Sequence, residues 1–221
     1  MRAWQQLVLV LALLAPLAVA GEVVERIVAR VHDRVILQSE LDDALRYQAL
    51  LAGRDPDRFT GDERNQAIER LVDQMLIKEQ IDRRTFARAS KEDIARQVAD
   101  IRRRLPGAQD DQSWRQLLAR YGLAEADVDE LVAVQVDILR YEDARFRPTI
   151  HIDERSIKTY YLEQFIPQLH KAGAQEVPLQ DVSGKIEEIL IQQRISESVD
   201  SWLSRLREEA HLPRSKEVKL Q

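Results

Sequence analysis

Close to the N-terminal end of the chain, the spacing of apolar residues changes from a pattern typical of strands to one typical of helices. Apolar and β-branched residues dominate Val24–Val31 and Val35–Leu37, a composition that favours strands. His32 and Asp33 lie between these two runs, where a two-residue turn would join them. The pattern therefore predicts a β-hairpin. Because an isolated hairpin is marginally stable in water, it needs a third strand or a helical layer to pack on.

Downstream of the hairpin, apolar residues recur at a helical period, and glycine or proline separates the stretches. Ser39, which has an acidic residue three positions later, predicts a capping box at the first helix, and Ser90 with Asp93 predicts another. The last helix is predicted from about Val182 to Ala210, with Gly184 as an alternative start. In chain order, the predicted apolar stripes lie within Leu41–Leu45, Ile68–Ile81, Ile94–Leu105, Trp114–Tyr121, Val128–Leu139, Ile157–Phe165 and Ile186–Leu206. The sequence predicts a mainly α fold with a small N-terminal β-hairpin.

Residues 1–20 have the pattern of a secretory signal peptide. Their only charge is Arg2, an apolar run covers Leu7–Leu14, and Ala18–Ala20 supplies the small-residue ending that precedes a cleavage site. The apolar run is shorter than the roughly 20 residues that a transmembrane helix needs. We therefore expect cleavage after Ala20 and export of the mature chain, with a retained N-terminal anchor as the alternative.

The composition restricts the partners of the mature chain. The sequence has no cysteine, so a core without disulfides must hold the fold together. The formal net charge is −5, and removal of Arg2 with the signal peptide makes it −6. Nucleic acids and anionic membrane surfaces bind clustered Lys and Arg, so neither is expected as a partner. Arg102–Arg104 shares a predicted helix with Glu92 and Asp100 and is interpreted as a solvated face.

Candidate catalytic and metal-binding groups are sparse. The four histidines are far apart, and no two have the i, i+4 spacing that places two imidazoles on one helical face. His151 and Asp153 come nearest to an acid–base or metal pair, but they lie at a predicted helix entry, where capping is the ordinary role. The sequence contains no nucleophile motif and no phosphate-binding glycine loop. We expect a protein that is not an enzyme and that needs no metal or cofactor.

Four aromatic side chains are candidates for binding a polypeptide. Tyr160 and Tyr161 are adjacent on one predicted helix, so they cannot both face a single core stripe and at least one should be partly exposed. Phe165 and Tyr47 are likewise expected off the principal core stripes. Because exposed aromatics are enriched at binding surfaces, we predict that Tyr47, Tyr160, Tyr161 and Phe165 contact the partner. The alternative is that the helix lies in a crease between two layers and buries both adjacent tyrosines.

Four stretches are specific enough to compare with known families. They are VVERIVARVHDRVILQSELDDAL, IERLVDQMLIKEQIDRR, SKEDIARQVADIRRRL and the segment from SWRQLLARYG to TIHIDERSIKTYY. Together they resemble the N-terminal domain of the SurA family, whose members are periplasmic chaperones that escort unfolded outer-membrane proteins. The resemblance covers Val23 to about Phe165, and its most specific pieces are the hairpin and LVDQMLIKEQ.

The C-terminal part of the chain extends the resemblance. Gln180–Leu212 is similar to the segment that in this family folds back on the N-terminal domain. The resemblance therefore implies a helical bundle in which a C-terminal helix packs back on the bundle and its hairpin. It also suggests that the alternating HLPRSKEVKL segment lies beside the hairpin, with contacts between Ile27–Val31 and the residues after Ala210.

The sequence departs from the family in one respect. Typical members carry one or two parvulin-type prolyl isomerase domains between these two parts, whereas here the 19 residues of 166–184 fill the interval. Nineteen residues are too few for an independent domain of that kind. We expect a signal peptide (1–20), a SurA N-terminal-like chaperone domain (21–165), a short linker (166–184), and a C-terminal helix and tail that complete the same domain (185–221).

The function implied by the resemblance is that of a periplasmic holdase. Such a chaperone binds unfolded outer-membrane or exported polypeptides without catalytic turnover. Two alternatives stay open: an envelope adaptor that binds one folded partner, and a residual prolyl isomerase. We expect no direct membrane insertion of the mature chain, and the sequence leaves the clients and the oligomeric state open.

Overall fold

A two-stranded antiparallel hairpin opens the computed structural model, which describes residues 25–212. β1 (Ile27–Val31) pairs with β2 (Arg34–Leu37), and Val31 faces Arg34 across the two-residue turn. The first turn residue, His32, has a φ of 54°, in the left-handed region that the first central position of a type I′ or II′ turn requires. The predicted hairpin is confirmed.

The rest of the described chain is mostly helical. The helices are Gln38–Ala52 (α1), Gly61–Asp82 (α2), Lys91–Arg104 (α3), Asp111–Arg120 (α4), Glu125–Phe146 (α5), Glu154–Tyr160 (α6), Ile166–Lys171 (α7) and Leu179–Glu209 (α8). A 3-10 turn (Arg147–Thr149) follows α5, and a π-helical turn (Tyr161–Phe165) joins α6 to α7 without a break. The prediction of a mainly α fold is confirmed. None of the described helices is long and apolar enough to cross a membrane.

The helix starts show how far local capping chemistry can be predicted. The Ser90 hydroxyl accepts from the Asp93 N–H at 3.2 Å and the Asp93 carboxylate accepts from the Ser90 N–H at 3.0 Å, as predicted. The prediction that Ser39 caps α1 is wrong, because the helix begins one residue before it. β2 leads into this helix without a loop, and the Glu40 carboxylate accepts from the Leu37 N–H at 2.7 Å.

The final helix is longer than its apolar pattern indicates. It begins at Leu179, ahead of the predicted Val182, and Gly184 lies inside it. Residues 166–184 therefore comprise α7, a short connection and the first turns of α8. Gly173, with a φ of 67°, follows α7 in the left-handed conformation that commonly ends a helix.

The hairpin packs against helices. Val31 and Ile36, one from each strand, are 0% and 1% exposed. They belong to one buried cluster, called here the hairpin core. Its other members are Val72, Leu76, Ile77 and Ile81 of α2, Ile138 and Tyr141 of α5, and Trp202 and Leu206 of α8. The hairpin core therefore joins the first element of the described chain to the last, and the prediction that the C-terminal helix packs back on the bundle is confirmed.

The C-terminal end of the described chain lies at the same core. Ala210 and Leu212 pack against the cluster that contains Val31, whereas direct contacts between Ile27–Val31 and the residues after Ala210 stay a prediction. The sheet has two strands within residues 25–212. The extended segment expected beside the hairpin falls mainly on residues 213–221, which lie outside the described residues.

A second buried cluster holds the shorter helices together. It consists of Leu50, Ile101, Leu105, Ala108, Trp114, Leu118, Leu123, Val128 and Val132. A smaller cluster of Leu41, Leu45 and Ala67 lies between α1 and α2. Helix α1 is thus anchored to α2 through its N-terminal half and to α3, α4 and α5 through Leu50.

Arg207 ties the end of α8 to α2. Its side chain is 9% exposed, its Nε donates to the Asp73 carboxylate at 2.7 Å, and its Nη1 donates to the Glu69 carboxylate at 2.6 Å. Its Nη2 donates to the Glu69 backbone oxygen at 3.1 Å. Glu69 and Asp73 are 25% and 30% exposed, so removal of the Arg207 guanidinium leaves two half-buried carboxylates without their cation.

We expect Arg207→Met to lower the free energy of unfolding by about 2 kcal/mol, because Glu69 and Asp73 lose their cation while the apolar stem is kept. The measurement is the urea midpoint. Arg205→Met, at an exposed position of the same helix, is the control and should change stability by less than about 0.5 kcal/mol. Equal midpoints for the two variants would contradict the role given to Arg207.

Glu142 is a half-buried carboxyl group at the contact between α5 and α8. Burial, and after it the Asp200 carboxylate, raises the pKa of Glu142 from 4.5 to about 7. The folded protein therefore holds this proton more tightly than the unfolded chain does. The resulting contribution to stability is fully present below about pH 4.5 and is lost as the pH rises through about 7.

Glu142→Gln should remove this dependence, because the amide stays neutral. Above pH 7 we expect the variant to be more stable than the parent by about 1 kcal/mol, with the difference vanishing towards pH 4.5. Urea unfolding at a series of pH values measures it. Glu187→Gln, on the exposed side of α8, is the matched control. A pH-independent difference for Glu142→Gln would refute the assignment.

Candidate functional site

A cleft of about 720 Å³ opens between α1, α2, α5 and β2. Its floor is apolar and consists mainly of Ile36, Tyr47, Leu71, Met75, Leu131 and Val134. All of these except Ile36 are half-buried. Leu51 also lines the cleft and is 47% exposed. The cleft therefore presents apolar side chains that the fold itself leaves partly uncovered.

Helix periodicity explains why these side chains meet. Leu71 and Met75 are four residues apart on α2, and Leu131 and Val134 are three apart on α5, so each pair lies on one face of its helix. Ile36, from the strand that precedes α1, also lines the cleft. Each helix is anchored by deeper residues in the buried clusters. The cleft is thus a surface trough between helices that are anchored in the buried clusters.

Polar groups surround the floor. Arg70 and Lys78 lie on the α2 wall, whereas Asp43 of α1 and Asp127 of α5 lie on the other walls. Burial, followed by the nearby Asp127 carboxylate, raises the pKa of Asp43. Arg46 offsets part of that rise, with its Nη1 3.2 Å from the Asp43 carboxylate. An apolar floor with a charged rim can hold the backbone and mixed side chains of a polypeptide.

Tyr47 is the one residue of the four predicted partner-contacting aromatics that lines the cleft. Its ring also packs against the second cluster. Its hydroxyl is buried and has no hydrogen-bond partner among the described residues. Burial raises the pKa of Tyr47.

The other three aromatics lie on the α6–α7 segment. Tyr160 ends α6, and Tyr161 and Phe165 bound the π-helical turn, with their rings stacked at a centroid distance of 6.0 Å. The Tyr161 hydroxyl donates to the Val177 backbone oxygen at 3.0 Å. All three aromatic residues are half-buried, whereas Leu162 between them is 54% exposed. The structure therefore divides the four predicted residues between two surfaces.

Sequence reasoning missed the apolar residues of the cleft. Leu71, Met75 and Leu131 lie in regular apolar stripes, which a sequence alone assigns to the core. No local sequence pattern distinguishes a residue of an apolar stripe that another helix covers completely from one that it leaves half-buried.

The described histidine and acidic side chains were candidates for a metal or acid–base site. Among residues 25–212, no group of three or more His, Asp or Glu side chains could hold a metal ion. His151 is exposed, and Asp153 caps α6 by accepting from the Ser156 N–H at 2.6 Å. The capping interpretation of Asp153 is confirmed.

Comparison with known proteins places the chain in a family. The profile described as the SurA-like N-terminal domain matches residues 2–140. The chain belongs to this family. The match includes the hairpin and helices α1 to α4, and it ends within α5. All three cleft helices of the SurA-like N-terminal domain therefore fall wholly or partly inside the match.

Relatives carry the same family name. The protein named Chaperone SurA from Xanthomonas campestris pv. campestris is 32% identical over 167 residues, covering 72% of this chain and 34% of that protein. Its namesake from Pseudomonas aeruginosa is 32% identical over 138 residues, covering 62% of this chain and 32% of the relative. The chain thus spans about a third of the length of these curated relatives.

The Tyr47 hydroxyl has no hydrogen-bond partner among the described residues, whereas the Tyr161 hydroxyl has one. Removal of each hydroxyl therefore gives a matched test of these two environments. We expect Tyr47→Phe to keep or raise stability, by up to about 1 kcal/mol, because it removes a buried hydroxyl without a partner. Tyr161→Phe should lower stability by about 1 kcal/mol, because it deletes the bond to Val177. Urea unfolding of both variants measures the difference. A loss for Tyr47→Phe as large as that for Tyr161→Phe would mean that the Tyr47 hydroxyl has a partner.

Proposed function

We propose that this chain is a periplasmic holdase that binds unfolded outer-membrane or exported polypeptides without catalytic turnover. The observation that carries the proposal is the open apolar cleft within a SurA-like N-terminal domain. The relatives named Chaperone SurA support the chaperone role. The proposed domain comprises residues 21–165 and 185–221, joined by 166–184.

The cleft suits weak and reversible binding. Its partly uncovered apolar side chains can shield apolar side chains of an unfolded segment from water. Unfolded outer-membrane strands alternate apolar and polar side chains, so one face of such a segment can lie on the floor. The proposed cycle needs no nucleotide, because a client leaves when its own folding or another binding partner competes successfully. Low affinity for each segment is therefore part of the function.

The proposed location is the periplasm. It is supported by the signal-peptide pattern of residues 1–20 and by the resemblance to the SurA family, whose members act there. In the proposed pathway, cleavage follows Ala20 and the mature chain acts free of the membrane. Tyr47 is the proposed client contact in the cleft, and Tyr160, Tyr161 and Phe165 form a second proposed contact surface.

The holdase proposal predicts that the purified mature chain suppresses light scattering when a denatured outer-membrane protein is diluted into buffer. Leu51→Asp should weaken the suppression severalfold, because it places a charge at the mouth of the apolar cleft. Leu139→Asp is the matched control, since Leu139 is 57% exposed against 47% for Leu51 and lies outside the cleft lining. Circular dichroism checks that both variants fold.

No suppression at excess protein would refute the holdase proposal and favour an adaptor that binds one folded partner. If Leu51→Asp and Leu139→Asp weaken the suppression equally, the holdase proposal stands but the cleft is not the client-binding site. These results separate the function from its proposed site.

A further inference from the structure

The charged residues around the cleft are segregated by sign. Arg70 and Lys78 are eight residues apart on α2 and therefore lie on the same face of that helix. The acidic residues belong to the walls formed by α1 and α5, where Asp43 and Asp127 lie close enough to interact electrostatically. Glu130 lies one turn after Asp127 on α5. A cationic wall and an acidic wall thus border one apolar floor.

Several of these charges lack a counter-ion within the described part of the chain. Lys78 and Glu130 make no ion pair there. Arg70 donates to the Gln48 amide oxygen at 2.6 Å and reaches no carboxylate in residues 25–212. By contrast, the Arg34 side chain at the end of the cleft is paired with a carboxylate at 3.0 Å. The uncompensated charges are available to a molecule that occupies the cleft.

We infer that the cleft selects dipolar polypeptide segments, in which a short apolar stretch separates a basic residue from an acidic one. The apolar stretch covers the floor, the acidic residue lies against Arg70 and Lys78, and the basic residue lies against Asp127 and Glu130. This inference rests on the proposed function and adds the charge pattern of the segments that bind.

Segments with charges of one sign fit the cleft less well. A segment with acidic residues at both ends places one of them against Asp127 and Glu130, and a segment with two basic ends places one against Arg70 and Lys78. Like charges in contact oppose binding and so discriminate between segments. The two walls also give the bound segment a direction, because reversal of a dipolar segment brings both of its ends against like charges.

Fluorescence anisotropy with three labelled peptides tests the inference on the purified chain. The peptides share one apolar centre and carry a basic and an acidic end, two basic ends, or two acidic ends. We expect the dipolar peptide to bind about threefold to tenfold more tightly than either of the others at low salt, since exposed ion pairs are individually weak. High salt should reduce this preference and leave the apolar contribution.

A charge-reversal variant makes the test specific to the cleft. Arg70→Glu combined with Lys78→Glu makes the α2 wall acidic like the walls of α1 and α5, so the peptide with two basic ends should become the tightest ligand. Lys91→Glu combined with Lys185→Glu changes the net charge equally at exposed positions outside the cleft. This control should keep the preference for the dipolar peptide.

The outcomes distinguish the inference from the function on which it rests. Equal binding of the three peptides, or a shift of preference in the control as large as in the cleft variant, overturns the inference and leaves the holdase proposal standing. If no peptide binds and scattering is not suppressed, the inference and the holdase proposal both fail.

Discussion

Burial of the apolar face of the hairpin is the constraint on which the rest of the structure depends. Val31 and Ile36 are almost completely buried, and each stabilises the fold by about 1.5–3 kcal/mol when helices cover it. The cover comes from α2, α5 and α8, which are far apart in the sequence. Trp202 of α8 completes it and lies 6.0 Å from the Tyr141 ring and 5.7 Å from the Phe146 ring, between centroids. The domain is therefore held at a point where its two ends meet.

The cleft follows from this arrangement. Helix α1 continues directly from β2, so the hairpin sets where it begins, while α2 and α5 are fixed because they contribute to the hairpin core. The three helices are secured by residues beneath the surface, and half-buried side chains such as Leu71 and Leu131 remain above them. The surface proposed to bind clients is thus already open in this structure, and a preformed surface limits the entropy lost on binding. The charged walls add selectivity to a floor that is otherwise tolerant.

The sequence predicted the features that depend on neighbouring residues. The hairpin turn at His32, the capping box at Ser90 and the helical stripes each arise from residues within a few positions of one another. It failed at Ser39, where the passage from strand to helix without a loop moved the helix start. It could not separate fully buried stripe residues from half-buried ones such as Met75, because a helical period shows which residues share a face but not what covers that face. The cleft and the Arg207 network depend on contacts between residues that are far apart in the sequence.

The hairpin core has a consequence for when the domain can fold. Its first members, Val31 and Ile36, are made early, whereas Trp202 and Leu206 come near the end of the chain. A chain that emerges N-terminus first from a ribosome therefore cannot complete this core until Trp202 and Leu206 have emerged. Contacts of such long sequence separation form late and slow folding. The same long-range closure that stabilises the finished domain therefore delays its folding while the chain is being made.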